Sequence, residues 1–218
     1  MRRFSIITLS LVVVAAVFVL LHHKEDETPL PNLLEKKING ARMKPHRDSL
    51  FGYVINYPDF FEQLPDSLID EAGCCVFRFW NVVQINLSGY VLRNPDELTS
   101  EQMIDSLANT IHAAEIRSNA DTIIMSGPLY VDEGVIPGHR YHTKYVRHRR
   151  LWFVQSLTYP EECENAVSRL KHQIDNWPVW EDSIPEYPEL PQRRPQTTTY
   201  RPTRPIVLPN LETSTIFR

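Results

Sequence analysis

LWFVQSLTYPEECENAVSRLKHQIDNW, residues 151–177, decides the fold. Leu151–Thr158 is mostly bulky and apolar, which reads as a buried strand. Tyr159-Pro160 then leads straight into an amphipathic helix. Pro160 suits the first helical turn, because its missing N–H would have no intrahelical partner there. Glu161, Glu162 and Glu164 place negative charge at the positive end of the helix dipole. Cys163, Ala166, Val167, Leu170, Ile174 and Trp177 recur at helical spacing on one stripe, with charge on the opposite face. A buried strand followed by a one-sided helix needs a sheet and a second layer to pack on.

Upstream, the chain supplies that sheet. Phe51–Tyr57 alternates as a strand and stops at Pro58, and Phe60, Phe61 and Leu64 cover one sheet end. Cys75–Trp80 and Val82–Leu92 read as two strands turning near Asn81, with Val83, Ile85 and Leu87 on one face. Asn94-Pro95-Asp96-Glu97 breaks the pattern. Thr99 and Gln102 then have the spacing of a capping box, opening a helix whose stripe is Met103, Ile104, Leu107, Ala108 and Ile111. Thr122–Met125, Leu129–Val131 and His139–Val146 are further strands, the last forming a hairpin with Leu151–Tyr159 across Arg147–Arg150. Strands in runs with helices inserted at intervals give an α+β class. The expected body, residues 51–180, is a mostly antiparallel sheet with helices packed on it as an α/β/α sandwich.

This order of elements, an early strand ending Tyr57-Pro58, a hairpin, a helix, further strands, and a strand ending Tyr159-Pro160 before a last helix, resembles the PsbP-like fold family. That family includes a photosystem extrinsic protein and a Ran-GTPase-binding protein, and similar small domains occur as bacterial extracytoplasmic lipoproteins. The resemblance implies a binding or assembly module rather than an enzyme. It carries no functional residue onto a position here, and the absence of a lipobox Cys departs from the lipoprotein members.

The flanks set the expected compartment. Met1-Arg2-Arg3 precedes Phe4–Leu21, a run without a charge. At about 1.5 Å per residue it is just long enough, with help from its flanks, to cross a hydrocarbon core about 30 Å thick. Ala15-Ala16 lie inside the run rather than at its end, so a signal anchor fits better than a cleaved signal peptide. Arg2 and Arg3 keep residues 1–22 as a cytoplasmic stub and a single span, sending the remaining chain outward. The expected location is a bacterial inner membrane, with the bulk of the chain in the periplasm. Residues 23–50, with Pro29, Pro31, Pro45 and an Asn39-Gly40 turn signal, read as a linker outside the core. Residues 181–218 carry Pro185, Pro188, Pro191, Pro195, Pro202, Pro205 and Pro209, a composition expected to stay disordered and extended. It is either a partner ligand or a passive tail. With a net charge of −4 and pI of about 6.1, nothing in the chain recruits nucleic acid.

Candidate chemistry is sparse. Cys163 lies on the buried stripe of the last helix, and Cys74 or Cys75 opens a strand beneath it. In an oxidising compartment Cys163 can bridge whichever of Cys74 and Cys75 points toward the helix, Cys75 being the candidate; ordinary buried thiols are the other reading. A nucleophilic Cys with His139 or His142 lacks any motif around it. In a strand His142 and His148 share a face and His139 takes the other, so the three cannot hold one metal, and no metal or cofactor is expected. Arg147, His148, Arg149 and Arg150 form a basic hairpin tip, able to contact an acidic partner or to sit solvated. Asp-Ser/Thr-apolar triplets recur, which resembles a periplasmic O-glycosylation acceptor motif; Ser67 and Ser183, in expected loops, are the better acceptors. No catalytic residue can be picked out. The expected function is a membrane-anchored periplasmic binding or assembly module with an envelope protein partner. The alternative is a small extracytoplasmic hydrolase or ligand-processing enzyme with an unidentified His or Cys site.

Overall fold

The computed structural model describes residues 29–69, 72–131 and 134–180. The fold is α+β. Its helices are α1 (Leu30–Gly40), α2 (Ser100–Ile111) and α3 (Ser168–Asp175). Its early strands are β1 (Met43–Arg47), β2 (Val54–Pro58), β3 (Glu62–Gln63), β4 (Cys75–Trp80) and β5 (Gln84–Arg93). The later ones are β6 (Glu115–Ser118), β7 (Thr122–Val131), β8 (Gly134–His148) and β9 (Leu151–Pro160). Seven strands make one antiparallel sheet in the order β3-β4-β5-β9-β8-β7-β6, while β1 and β2 pair as a separate antiparallel ribbon.

The quoted stretch sits at the centre of that sheet. β9 pairs with β5 from Asn86↔Thr158 to Arg93↔Leu151, and with β8 from His139↔Pro160 to His148↔Leu151. Leu151 to Gln155 are all buried, because the strand has a neighbour on each side and a layer on each face. That double coverage is why LWFV shows no polar alternation. Phe153, Leu157 and Tyr159 face the core shared with α1, α3 and the ribbon, while Trp152 and Val154 face Met103 and Leu107 of α2. Helices therefore cover both faces. The capping box of α2 is made in both directions, Thr99 N donating to Gln102 Oε1 at 2.9 Å and Gln102 N to Thr99 Oγ1 at 3.4 Å.

Several expectations are corrected. Residues 30–47 are part of the domain, not linker: α1 buries Leu34 and Ile38 in the main core, and β1 pairs with β2 along its length. Pro29 and Pro31 start α1 rather than prevent it, since the first helical turn has no use for their missing donors. Pro45 is tolerated because β1 lies at the edge of its ribbon. Helix does not begin at Pro160, which is the last residue of β9. A 3-10 turn at Glu161–Cys163 intervenes and α3 starts at Ser168, yet Cys163, Ala166, Val167, Leu170, Ile174 and Trp177 are all buried as one stripe. The two strands expected at residues 122–125 and 129–131 are one, with a register shift between Pro128 and Tyr130. The expected transmembrane span, Phe4–Leu21, and the tail from Glu181 lie outside the described residues. Among the described residues no helix is long and apolar enough to cross a membrane.

Candidate functional site

The interior below the C-terminal end of α3 is polar, and β8 builds it. His142 and Lys144 alternate onto the face that α3 covers and are 3% and 8% exposed. Lys144 Nζ donates to the carbonyls of Asp175 and Trp177, both at 2.9 Å. The last carbonyls of a helix have no intrahelical donor, and an ammonium there also meets the negative end of the dipole. Burial still pulls the Lys144 pKa below its ordinary value. His142 Nε2 lies 2.7 Å from Asp175 Oδ1, and Arg117 of β6 holds Oδ2 of the same carboxylate at 3.0 Å. Burial would raise Asp175, but the hydrogen bonds from Arg117 and His142 overcome it and hold the group below its ordinary value.

Above this layer is a cleft of about 470 Å³ between α3 and the ribbon. One wall is a single face of α3 and its C-cap, Arg169, His172, Gln173 and Asn176, at i, i+3, i+4 and i+7. Met43 of β1 and Asn56 of β2 form the other, and Gln173 Nε2 spans the two walls to the Asn56 carbonyl at 3.2 Å. Trp177 closes one end; its indole N–H donates to the Val54 carbonyl at 2.6 Å, fixing the turn after α3 against β2. Arg169 anchors α3 to α1, its Nη1 donating to the carbonyls of Ile38, Asn39 and Ala41 at 2.6, 2.9 and 3.2 Å. The floor includes Gln155, 1% exposed, whose Oε1 has no hydrogen-bond partner among the described residues.

The residues singled out from sequence fall elsewhere. The Cys75–Cys163 disulfide is not made: the two sulfurs are not bonded to each other and both side chains remain thiols. Cys75 Sγ instead lies 3.4 Å from Tyr53 Oη, within the apolar core that both cysteines share. Burial pushes the Cys75 thiol up to about 11 and raises Cys163 as well, so neither carries the thiolate that a nucleophile requires. The basic tip is a β8–β9 hairpin with Arg149 in the left-handed region at φ 53°. Arg147 pairs with Asp121 at 2.7 Å and Arg150 with Glu97 at 2.7 Å, so half of the run is answered by local carboxylates. His148 packs edge-on against Trp180 at 5.3 Å, which places that Trp in the domain's own packing. Ser67 is exposed on the 3-10 turn Asp66–Leu68, and Ser183 lies outside the described residues. No group of three metal-ligating side chains occurs among the described residues. The cleft was missed because its polar residues look, in sequence, like the solvated face of an ordinary surface helix. The one legible signal was Gln155 interrupting an apolar strand.

Burial gives the domain a defined acid response. His142 sits in a pocket that lowers its pKa through desolvation, against the pull of Asp175 and with Lys171 and Arg117 nearby. The unfolded chain therefore takes up a proton below the ordinary imidazole value of 6.5 that the folded chain resists. Stability falls as pH drops through that range. A second loss follows below the ordinary carboxylate values as Asp175 and Glu164, both held low in the fold, protonate. Urea midpoints measured at pH 7.5 and 5.5 are expected to drop in the native chain and to drop less in His142→Gln. His46 and His148, also lowered by burial, account for the remainder. Equal slopes in the two chains would remove His142 from this account.

No protein-family model matches the chain, and no curated protein matches it. Among the solved structures similar to it are these two. One is the solution structure of cyanobacterial PsbP (CyanoP) from Synechocystis sp. PCC 6803, at 15% identity over 63% of this chain and 91% of that one, with a TM-score of 0.45. The other is the Saccharomyces cerevisiae Ran-binding protein Mog1p, at 10% identity over 63% of this chain and 95% of that one, with a TM-score of 0.44. Both are of the fold family that the element order resembles. The likeness is one of fold.

Proposed function

We propose that this chain is a membrane-anchored extracytoplasmic binding or assembly module of a bacterial cell envelope. The observation that carries the binding half is the cleft. It offers carboxamides, a guanidinium and the His172 imidazole beside apolar Met43 and Trp177, groups that can hold a ligand by hydrogen bonds, charge and contact. The anchoring half is supported by the uncharged run Phe4–Leu21 behind Arg2-Arg3. The competing reading, a small hydrolase or ligand-processing enzyme, has the His142–Asp175 contact in its favour, since a carboxylate orienting an imidazole is half of a catalytic base. That imidazole is not among the side chains lining the cleft, and with its Nδ1 buried it serves the packing under α3.

Two measurements test the proposal. Fractionation of the native cell is expected to place the chain in the membrane pellet through alkaline carbonate washing, with the domain cut by protease added to opened cells. Recovery in the soluble cytosol would overturn the anchoring. Crosslinking in intact envelopes is expected to trap an envelope protein on the full chain. Its loss on removing residues 181–218 would assign the contact to the Pro-rich tail; its retention would assign it to the domain.

A further inference from the structure

We propose that the cleft between α3 and the ribbon binds the C-terminal end of a peptide, its carboxylate on Arg169 and its last amide group paired with the Gln155 carboxamide. The proposal deepens the binding reading above and rests on it only in taking the cleft as a ligand site.

Gln155 is the anomaly from which this follows. It lies in the central strand on the face that otherwise presents Phe153, Leu157 and Tyr159, with Lys144 and Gly89 opposite it in register. Leucine has a similar volume and no polar atom to satisfy. A buried acceptor left without a partner instead costs about 1–3 kcal/mol. Lys144, opposite it in register, turns two of its three N–H donors to the carbonyls that end α3 and makes no bond to Gln155 Oε1. A polar group kept in a core at a cost in stability, and opening on a cleft, is the pattern of a site held for function. A carboxamide carries an acceptor and a donor in one plane, as does a peptide group, so the two can exchange a pair of hydrogen bonds.

The charge of the cleft selects the other end of the ligand. No carboxylate lines it, and the one guanidinium at its wall makes no ion pair among the described residues. Arg169 spends Nη1 on backbone carbonyls, which fixes the plane of the group and leaves its other N–H donors for an anion. Arg169 is the second residue of α3, and no lysine or second arginine lines the cleft to share a multiply charged anion such as phosphate. A single carboxylate is the anion that one guanidinium can balance there. Met43 and Trp177 leave apolar surface for a side chain, and a cleft of about 470 Å³ holds two or three residues.

The test is calorimetric titration of the full chain with a set of N-acetylated dipeptides carrying a free C-terminal carboxylate, and with the same set as C-terminal carboxamides. Saturable binding of the acids is expected, with the carboxamides weaker by about ten-fold or more, one charge-assisted hydrogen bond being worth about that much. Gln155→Leu is expected to weaken the acids by at least about ten-fold while raising the thermal midpoint, because it removes the unpartnered oxygen and keeps the volume. A lower midpoint with binding intact would show that Gln155 is purely structural and would overturn the proposal. So would acids and carboxamides that bind alike, or no saturation by any acid at millimolar concentration. Membrane fractionation decides the anchoring separately, so either result can fail while the other stands.

Discussion

A chain that begins at Phe51 is expected to lose its cooperative unfolding transition or to unfold at far lower urea, while a chain that begins at Pro29 keeps it. The segment between carries α1 and β1. Leu34 and Ile38 are 3% and 0% exposed within the main core, and burying such side chains stabilises by roughly 1.5–3 kcal/mol each. Without β1, the ladder from Met43↔Pro58 to Arg47↔Val54 is gone, and β2 is left with the segment around Val179 beside it. Arg169 loses all three of its carbonyl acceptors, and His46 no longer covers the Phe77 ring from 5.3 Å. Together these come to about 5 kcal/mol or more, comparable to the total stability of an ordinary domain. Followed by far-UV circular dichroism, the urea midpoint should fall by about 2 M or more. Equal midpoints for the two chains would return residues 29–50 to the role of a passive linker.

That segment also shows where sequence reading runs out. The sheet was legible because its strands obey a period that burial imposes. Ile85 and Leu87 alternate with Asn86 and Ser88 since β5 has one core face toward β2, and β9 reads as a continuous run since both of its faces are covered. The capping box was legible because Thr99 and Gln102 bond each other locally. α1 was not, because it buries only Leu34 and Ile38 and its prolines carry the usual meaning of a linker. Their effect depends on position in the first turn, which composition does not reveal. β6 was missed for a related reason: all four of its residues are exposed, so no hydrophobic period marks it, and only pairing with β7 makes it a strand.

The site was less legible still. Its wall is assembled from four residues of one helix face, two from the ribbon and one from mid-sheet, which are far apart in sequence and individually unremarked. The residues that did stand out were the basic run at 147–150 and the cysteines, because charge density and reactive atoms are visible in any sequence. In the fold Arg147 and Arg150 of the first are matched by Asp121 and Glu97, and Cys75 and Cys163 of the second are core thiols. A residue's chemistry was evident. What balances that chemistry was set by the partners that tertiary structure brings.

Gly89→Val is expected to destabilise the domain by about 3 kcal/mol or more, the sum of overpacking and a broken buried hydrogen-bond centre. Gly89 lies mid-β5, between Cys75 of β4 and Gln155 of β9. A Cβ there would stand 2.9 Å from both Ile55 Cγ1 and Tyr53 Cε2, closer than packed carbons come. Neither neighbour can retreat: both are 0% exposed, and Tyr53 is wedged edge-on between Phe153 and Trp177 at 6.3 Å from each. Its hydroxyl lies 3.0 Å from the Gly73 carbonyl, 3.1 Å from the Gly89 carbonyl and 3.4 Å from Cys75 Sγ. Moving the ring to admit a side chain therefore strips a buried hydroxyl of its partners as well as straining the sheet. Gly40, the last residue of α1, is the matched control, since a Cβ there meets nothing within 4 Å. Gly40→Ala should be neutral or stabilising by about 0.4–1 kcal/mol, through the unfolded chain it makes stiffer. Urea denaturation of the two variants beside the parent gives both numbers. A Gly89→Val protein as stable as Gly40→Ala would mean that β2 does not press on β5 as closely as these distances require.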